Sequence, residues 1–148
     1  MKQILWIAVF LLGIAGCAAE QKPDVEQTSR IVSSEMRMIE TIDGTYTDIS
    51  AVGLQQMLEE NDFPLINVHI PYVGEITDTD AFVPFNEIGV NVSQLPQDLD
   101  APIVLYCLGG GMSTSAAKDL VALGYTNVFN LKGGMNAWQR AGFKLSSR

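Results

Sequence analysis

A single cysteine followed by three glycines is the part of the sequence best suited to chemistry. Cys107 follows the unalternating apolar run Pro102–Tyr106, typical of a strand buried on both faces, and precedes a predicted helix over Ser113–Leu123. The amide dipoles at the start of such a helix favour negative charge, and glycines allow backbone N–H groups to form an anion-binding nest. The pattern therefore favours a reactive thiolate over the alternative, an inert buried cysteine followed by a flexible glycine loop.

The loop that would surround the sulfur contains no basic residue. We predict that it forms the substrate-binding loop, which consists of Leu108, Gly109, Gly110, Gly111, Met112 and Ser113. Ser113 is also predicted to cap the following helix, whose apolar stripe would comprise Ala116, Leu120 and Leu123.

The surrounding segments alternate between strand-like and helix-like patterns. Strands are predicted over Tyr46–Ile49, Pro64–Val68, Pro102–Tyr106 and Val128–Leu131, and helices over Ala51–Glu60 (capped by Ser50), Ser113–Leu123 and Met135–Ala141. The glycine pair at positions 133 and 134 predicts a tight turn, residues 70–85 a long irregular loop, and residues 29–42 are compatible with a short docking helix. This alternation predicts an α/β domain with a largely parallel central sheet flanked by helices on both faces.

The first residues have the pattern of an export signal. The apolar run Ile4–Ala15 is shorter than the about 20 residues that a membrane-spanning helix needs. The sequence I-A-G-C that ends at Cys17 resembles a bacterial lipobox. In such signals the chain is cleaved before the cysteine, which becomes the N-terminus and carries acyl chains such as palmitate. An ordinary secretory signal is the alternative. We expect a signal peptide over 1–16, a lipidated tether over 17–28 and a domain over 29–148, with its core at about 45–143.

Charge and cysteine content narrow the partners. The chain has 9 basic and 17 acidic residues, and loss of residues 1–16 removes one lysine, which leaves 8 − 17 = −9. Such an acidic domain is not expected to bind nucleic acid, so the lipid rather than charge would attach it to the extracytoplasmic (periplasmic) face of a bacterial membrane. With Cys17 lipidated, Cys107 is the one thiol left. No spacing predicts a metal site or a cofactor site.

At this point the motifs show a family resemblance. The segments P-I-V-L-Y-C-x-x-G-x-M-S, A-A-x-x-L-x-x-L-G-Y-x-N-V and L-K-G-G-M-N-A-W resemble the C-terminal half of a rhodanese-like domain, and D-I-S-x-x-x-L and P-L-I-N-V-H are similar to its earlier elements. The resemblance covers about residues 45–143. It implies a sulfurtransferase in which Cys107 takes a sulfane sulfur from a small donor, becomes a persulfide, and passes the sulfur to a thiol or sulfide acceptor. The resemblance does not indicate a particular protein partner.

Four positions depart from the family pattern. Many rhodaneses have arginines where this chain has Leu108 and Met112, so no guanidinium would bind the sulfonate of thiosulfate. A polysulfide or persulfide donor is therefore predicted in its place. Where the family has D-V-R, this chain has N-V-H, and His69 is a candidate pocket residue that could supply charge or a proton near its ordinary pKa of about 6.5. A structural histidine is the alternative.

Other functions fit the cysteine less well. Phosphatases and arsenate reductases of this strand–loop–helix plan need C-x5-R, and the arginine position is Ser113 here. A thiol redox sensor would lack a resolving cysteine in the chain. A catalytically weak rhodanese-fold module that binds sulfur or a partner at the cell envelope stays open as the alternative to a transferase.

Overall fold

The computed structural model describes residues 35–60 and 63–146. The strands are Met36–Glu40 (β1), Thr45–Ile49 (β2), Leu65–Asn67 (β3), Glu75–Ile76 (β4), Ala81–Phe82 (β5), Ile103–Tyr106 (β6), Val128–Leu131 (β7) and Leu145–Ser146 (β8). The helices are Ala51–Glu60 (α1), Gly111–Ala122 (α2) and Gly134–Arg140 (α3), with 3₁₀ turns at Phe85–Glu87 and Val92–Gln94.

The central sheet has six strands in the order β1-β2-β7-β6-β3-β5. All neighbouring pairs are parallel except β1 with β2, which is antiparallel. A separate antiparallel pair joins β4 to β8. The predicted α/β class and the largely parallel sheet are confirmed. Because β2, β7, β6 and β3 run in the same direction, their carboxyl ends meet at one edge of the sheet.

Helices cover both faces of this sheet, as predicted. On one face, Leu105 of β6 and Ile66 of β3 pack in a cluster with Ala116 and Leu120 of α2. On the other face, Val104 of β6 packs in a cluster with residues of α1 and α3, namely Leu54, Met135 and Trp138. All four residues of β6 are buried, so the unalternating apolar run is explained by its position in the middle of the sheet.

The start of α1 is as the sequence predicts. The Ser50 hydroxyl accepts the N–H of Gly53 at 3.0 Å, the bond expected of an N-cap. The Ser50 hydroxyl also bonds to the Glu35 carboxylate, and the Ser50 N–H donates to the Glu35 carbonyl at 2.8 Å. Glu35, the first described residue, therefore lies beside the carboxyl end of β2.

The docking helix predicted over residues 29–42 is wrong for residues 36–42. Residues Met36–Glu40 form β1, an edge strand paired along its whole length with β2. Pairing satisfies the backbone groups of an otherwise open β2 edge, and this tertiary requirement outweighs the weak helical spacing of Met36 and Ile39. Positions 29–34 lie outside the described residues.

Helix α2 begins two residues earlier than predicted, and Ser113 does not cap it. Gly110 is the N-cap residue, with φ 95°, and its carbonyl accepts the first helical bond from Thr114 at 3.0 Å. This left-handed conformation, which suits glycine, turns the chain directly into the helix. Ala116 and Leu120 are buried as expected, whereas Leu123 is 47% exposed because it follows the last helical residue.

The predicted signal segment 1–16 and tether 17–28 lie outside the described residues, and all the domain boundaries stay predictions. No helix within residues 35–60 and 63–146 is both long and apolar enough to cross a membrane. The irregular stretch 70–85 contains two short strands, β4 and β5, that were not predicted.

Candidate active site

Cys107 lies immediately beyond the carboxyl end of β6 and is 2% exposed. The Gly110 N–H donates to its sulfur, with nitrogen and sulfur 3.0 Å apart. The Ser113 hydroxyl oxygen lies 3.5 Å from the same sulfur and is the donor in that contact. Two hydrogen-bond donors, one from the backbone and one from a side chain, therefore converge on the Cys107 sulfur at the start of α2.

One of the three loop glycines, Gly110, has the role that the predicted anion-binding nest gave to several residues. Of Gly109, Gly110 and Gly111, it is Gly110 that adopts positive φ, and its N–H is the loop amide bonded to the sulfur. Gly109 and Gly111 are exposed. The chain thus folds Gly110 inward against the sulfur, with its flanking glycines on the surface.

The first turn of α3 packs directly against the cysteine backbone. The Met135 N–H donates to the Cys107 carbonyl at 2.8 Å, and the Asn136 N–H donates to the Leu108 carbonyl at 3.0 Å. Gly134 has φ 57°, and a Cβ atom there would lie 2.1 Å from the Cys107 carbonyl oxygen. We interpret the glycine pair from sequence as a turn between strand and helix, and the structure adds this contact with the candidate site.

The loop is neutral along its whole length. Residues Cys107 to Ser113 include no acidic or basic side chain. Leu108 is half-buried against the cluster on the α1 and α3 face, and Met112 is half-buried against the cluster on the α2 face. The two loop positions that depart from the family pattern therefore anchor the loop to the core by apolar packing.

Comparison with known proteins agrees with this arrangement. The model of the family described as Rhodanese-like domain matches residues 54–141, more than half of the chain. This chain belongs to the rhodanese-like domain family. The match includes Cys107 and the whole loop around it.

The relatives of this rhodanese-like chain include sulfurtransferases. It is 32% identical over 93 residues to a protein of Allochromatium vinosum named sulfurtransferase, an overlap of 62% of this chain and 85% of that protein. It is 48% identical over 42 residues to the thiosulfate sulfurtransferase GlpE of Pseudomonas fluorescens, but that overlap is 28% of this chain and 38% of GlpE.

Among solved structures, the crystal structure of a rhodanese-like domain protein from Staphylococcus aureus superposes with a TM-score of 0.58. The sequence identity is 24%, and the superposition covers 68% of this chain and 97% of that one. At this identity the likeness concerns the fold, which both proteins share.

His69 of the rhodanese-like chain follows β3, the strand next to β6. It is 8% exposed, and its backbone N–H donates to the Asn67 side chain at 3.0 Å. Its Nδ1 atom is buried with no hydrogen-bond partner, and burial lowers the pKa of His69. Within the described ranges no hydrogen bond joins His69 to Cys107, so its role as a pocket residue stays a prediction.

Tyr106 has a supporting role that the sequence reading missed. Its hydroxyl oxygen accepts the Ile76 N–H at 3.1 Å and lies 2.6 Å from the Thr79 hydroxyl. Burial, as the main cause, raises the pKa of Tyr106 to about 12, so the phenol is neutral at physiological pH. The residue before the cysteine thereby fixes the stretch 76–79 to the sheet. The available signal was a tyrosine in a buried strand, since a buried hydroxyl needs a partner.

The described residues offer no metal centre in the rhodanese-like domain. No group of three or more histidine, cysteine, aspartate or glutamate side chains within 35–60 and 63–146 is placed to hold an ion.

Proposed function

We propose that the protein is a sulfurtransferase that carries a sulfane sulfur as a persulfide on Cys107. The observation that carries this proposal is the convergence of the Gly110 N–H and the Ser113 hydroxyl on the Cys107 sulfur, at 3.0 and 3.5 Å. Hydrogen bonds to a sulfur anion favour the thiolate, which is the nucleophilic form. Membership of a family whose members include named sulfurtransferases supports the same chemistry.

The reaction has two steps. In the first, the Cys107 thiolate attacks the terminal sulfane sulfur of the donor, a bond forms between Sγ and that sulfur, and the donor S–S bond breaks with its electron pair leaving on the shortened donor. In the second, a thiolate or sulfide acceptor attacks the outer sulfur and Cys107 leaves as the thiolate. Bonds between sulfur atoms are exchanged, so neither step needs an external oxidant.

The donor that fits this loop is a polysulfide or a small persulfide rather than thiosulfate. A sulfonate is recognised most strongly by a charged, bidentate donor such as arginine. The stretch from Cys107 to Ser113 is neutral, and Leu108 and Met112 pack into the core. A sulfur chain carries its negative charge on sulfur, a weaker hydrogen-bond acceptor than a sulfonate oxygen, so backbone N–H groups and apolar contacts suit it better than they suit thiosulfate.

A donor comparison tests this proposal. The purified domain would be given polysulfide or thiosulfate at equal sulfane-sulfur concentration, and sulfur transfer to a small dithiol would be measured for wild type and Cys107→Ser. We expect transfer from polysulfide to exceed transfer from thiosulfate and to require Cys107. Equal rates with both donors would overturn the donor assignment. Transfer that persists in Cys107→Ser, or is absent with both donors, would overturn the transferase itself and favour a binding module.

We also propose that the protein is exported and attached to a bacterial membrane through acyl chains on Cys17. The lipobox-like I-A-G-C supports this location. Glu35 lies beside the carboxyl end of β2, so the segment before it joins the domain at the edge that also carries Cys107.

Acyl labelling tests the location. Cells producing the full chain would be grown with labelled palmitate, and wild type would be compared with Cys17→Ser and Cys107→Ser. We expect label and membrane association in wild type and Cys107→Ser, and neither in Cys17→Ser. Label that persists in Cys17→Ser would overturn the proposed anchor without affecting the sulfur chemistry.

A further inference from the structure

The beginning of α3 binds two consecutive carbonyl groups of the cysteine loop. Met135 N–H reaches the Cys107 carbonyl at 2.8 Å, and Asn136 N–H reaches the Leu108 carbonyl at 3.0 Å. Neither bond belongs to a helix ladder or a sheet ladder. Both join the candidate active-site loop to an element more than 25 positions further along the chain.

These two bonds determine where the loop amides point. In a trans peptide unit the C=O and the N–H of the following residue point in opposite directions. The peptide bonds after Cys107 and Leu108 are trans, since the cis bond within residues 35–60 and 63–146 is at Ile70–Pro71. With both carbonyls directed at α3, the N–H groups of Leu108 and Gly109 are directed away from α3.

This arrangement requires glycine at position 134. A Cβ atom on Gly134 would lie 2.1 Å from the Cys107 carbonyl oxygen and 2.8 Å from the Leu108 carbonyl carbon. Gly133 approaches the same loop, since a Cβ atom on Gly110 would lie 2.9 Å from the Gly133 nitrogen. The contacts are backbone to backbone, so rotation of a side chain cannot relieve them.

We propose that Gly134 is a positioning residue for the sulfur chemistry of Cys107. Because residue 134 has no side chain, α3 lies close enough to donate hydrogen bonds to the Cys107 and Leu108 carbonyls. The N–H groups of Leu108 and Gly109 are then directed toward the transferred sulfur, next to the Gly110 N–H that binds Sγ. Amide dipoles thus provide the positive potential that a neutral loop lacks. The inference rests on the proposed function, because it concerns the site of the same reaction.

The test compares Gly134→Ala with Gly142→Ala. Gly142 also has positive φ, 93°, but a Cβ there would have no neighbour within 4 Å. Both variants carry the strain of a left-handed alanine, and the contact with Cys107 distinguishes them. The readout is the pH dependence of alkylation of Cys107 by iodoacetamide. We use the position of this profile rather than the absolute rate, because a displaced loop also changes access to the thiol.

We expect the alkylation profile of Gly134→Ala to move to higher pH, while that of Gly142→Ala stays at the wild-type position. Persulfide formation from polysulfide would fall by about tenfold or more in Gly134→Ala. An unchanged profile in a folded Gly134→Ala protein would overturn the inference. Because alkylation needs no sulfur transfer, failure of wild type to take up sulfur would count against the proposed function instead.

A second pair of variants serves if Gly134→Ala does not fold. Asn136→Pro removes the N–H that binds the Leu108 carbonyl, at a position in the first turn of a helix where proline is tolerated. Asn136→Ala also loses the side chain but keeps this N–H. We expect a higher-pH alkylation profile for Asn136→Pro than for Asn136→Ala. Coincident profiles for the two variants would overturn the inference.

Discussion

The hydroxyl oxygen of Ser113 lies 3.5 Å from the Cys107 sulfur and 3.2 Å from the Gly110 carbonyl oxygen. One hydroxyl has one proton, so Ser113 donates to either the sulfur or the carbonyl at a given moment. Formation of the thiolate favours the bond to sulfur, because hydrogen bonds to charged acceptors are the stronger ones. Ser113 therefore has two alternative acceptors, the Cys107 sulfur and the carbonyl of Gly110, the N-cap residue of α2.

Replacing Ser113 with alanine should slow sulfur loading of Cys107. A hydrogen bond to a charged group contributes about 1.5–3 kcal/mol, and the long contact to sulfur places the expected loss near the lower limit, about tenfold in rate. The measurement is single-turnover persulfide formation from polysulfide. Ser115→Ala, two residues along the same helix, is the matched control and should load at the wild-type rate. Equal loading by the two variants would contradict a role for the Ser113 hydroxyl.

A cation at position 112 should improve the use of thiosulfate. Met112 is half-buried in the loop, and an arginine there can extend its guanidinium toward solvent while its stem packs on the core. We expect Met112→Arg to raise kcat/KM for thiosulfate by about tenfold, since one charge-assisted hydrogen bond is of that order, with a smaller change for polysulfide. Met112→Gln, similar in length and neutral, is the control. A gain of the same size in Met112→Gln would show that charge is not the cause.

Tyr106→Phe should change stability in a way that depends on pH. Removing the hydroxyl leaves the Ile76 N–H unpaired, at an expected cost of about 1–3 kcal/mol in free energy of unfolding at neutral pH. Burial raises the folded-state pKa of Tyr106 to about 12, so wild type loses stability as the pH rises from about 10 through about 12. Urea unfolding of both proteins at rising pH measures the difference, which should narrow above pH 10. A constant difference would contradict the assigned burial of the phenol.

His69 should make the protein less stable in acid. Burial lowers its folded-state pKa below the ordinary value of about 6.5, so the stability it contributes is complete above that pH and is lost as the pH falls. Urea midpoints at about pH 7.5 and pH 5.5 should fall further in wild type than in His69→Gln. The same variant should retain sulfur loading at neutral pH. Slower loading with unchanged stability would instead give His69 a part in proton transfer.

Local patterns were sufficient to predict most of the fold. The apolar run of β6, the Ser50 cap of α1 and the strand Val128–Leu131 were each apparent because neighbouring residues determine them. The strand β1 was missed because its formation depends on pairing with the open edge of β2. No pattern within Met36–Glu40 itself indicates that pairing. Strands β4, β5 and β8 have two residues each, too few for periodicity.

The candidate site likewise combines features that the local sequence predicts with contacts that it does not. The sequence located the cysteine, its neutral loop and the helix that follows, because these residues are adjacent in the chain. Ser113 was predicted to be the N-cap residue, but Gly110 in a left-handed conformation is the N-cap residue. Three consecutive glycines give no signal that shows which of them adopts that conformation. The contact between Gly134 and the Cys107 carbonyl joins two βα connections, and such a meeting of backbones leaves no periodic signal.

The central claim is that Cys107 carries sulfane sulfur, and intact-mass spectrometry of the purified domain tests it most directly. Wild type and Cys107→Ser would be treated with polysulfide and with thiosulfate, freed of excess donor, and weighed before and after addition of a dithiol. We predict that wild type treated with polysulfide gains the mass of one sulfur atom, that the dithiol removes it, and that Cys107→Ser gains nothing. Equal gains in wild type and Cys107→Ser, or no gain in wild type with either donor, would contradict the claim.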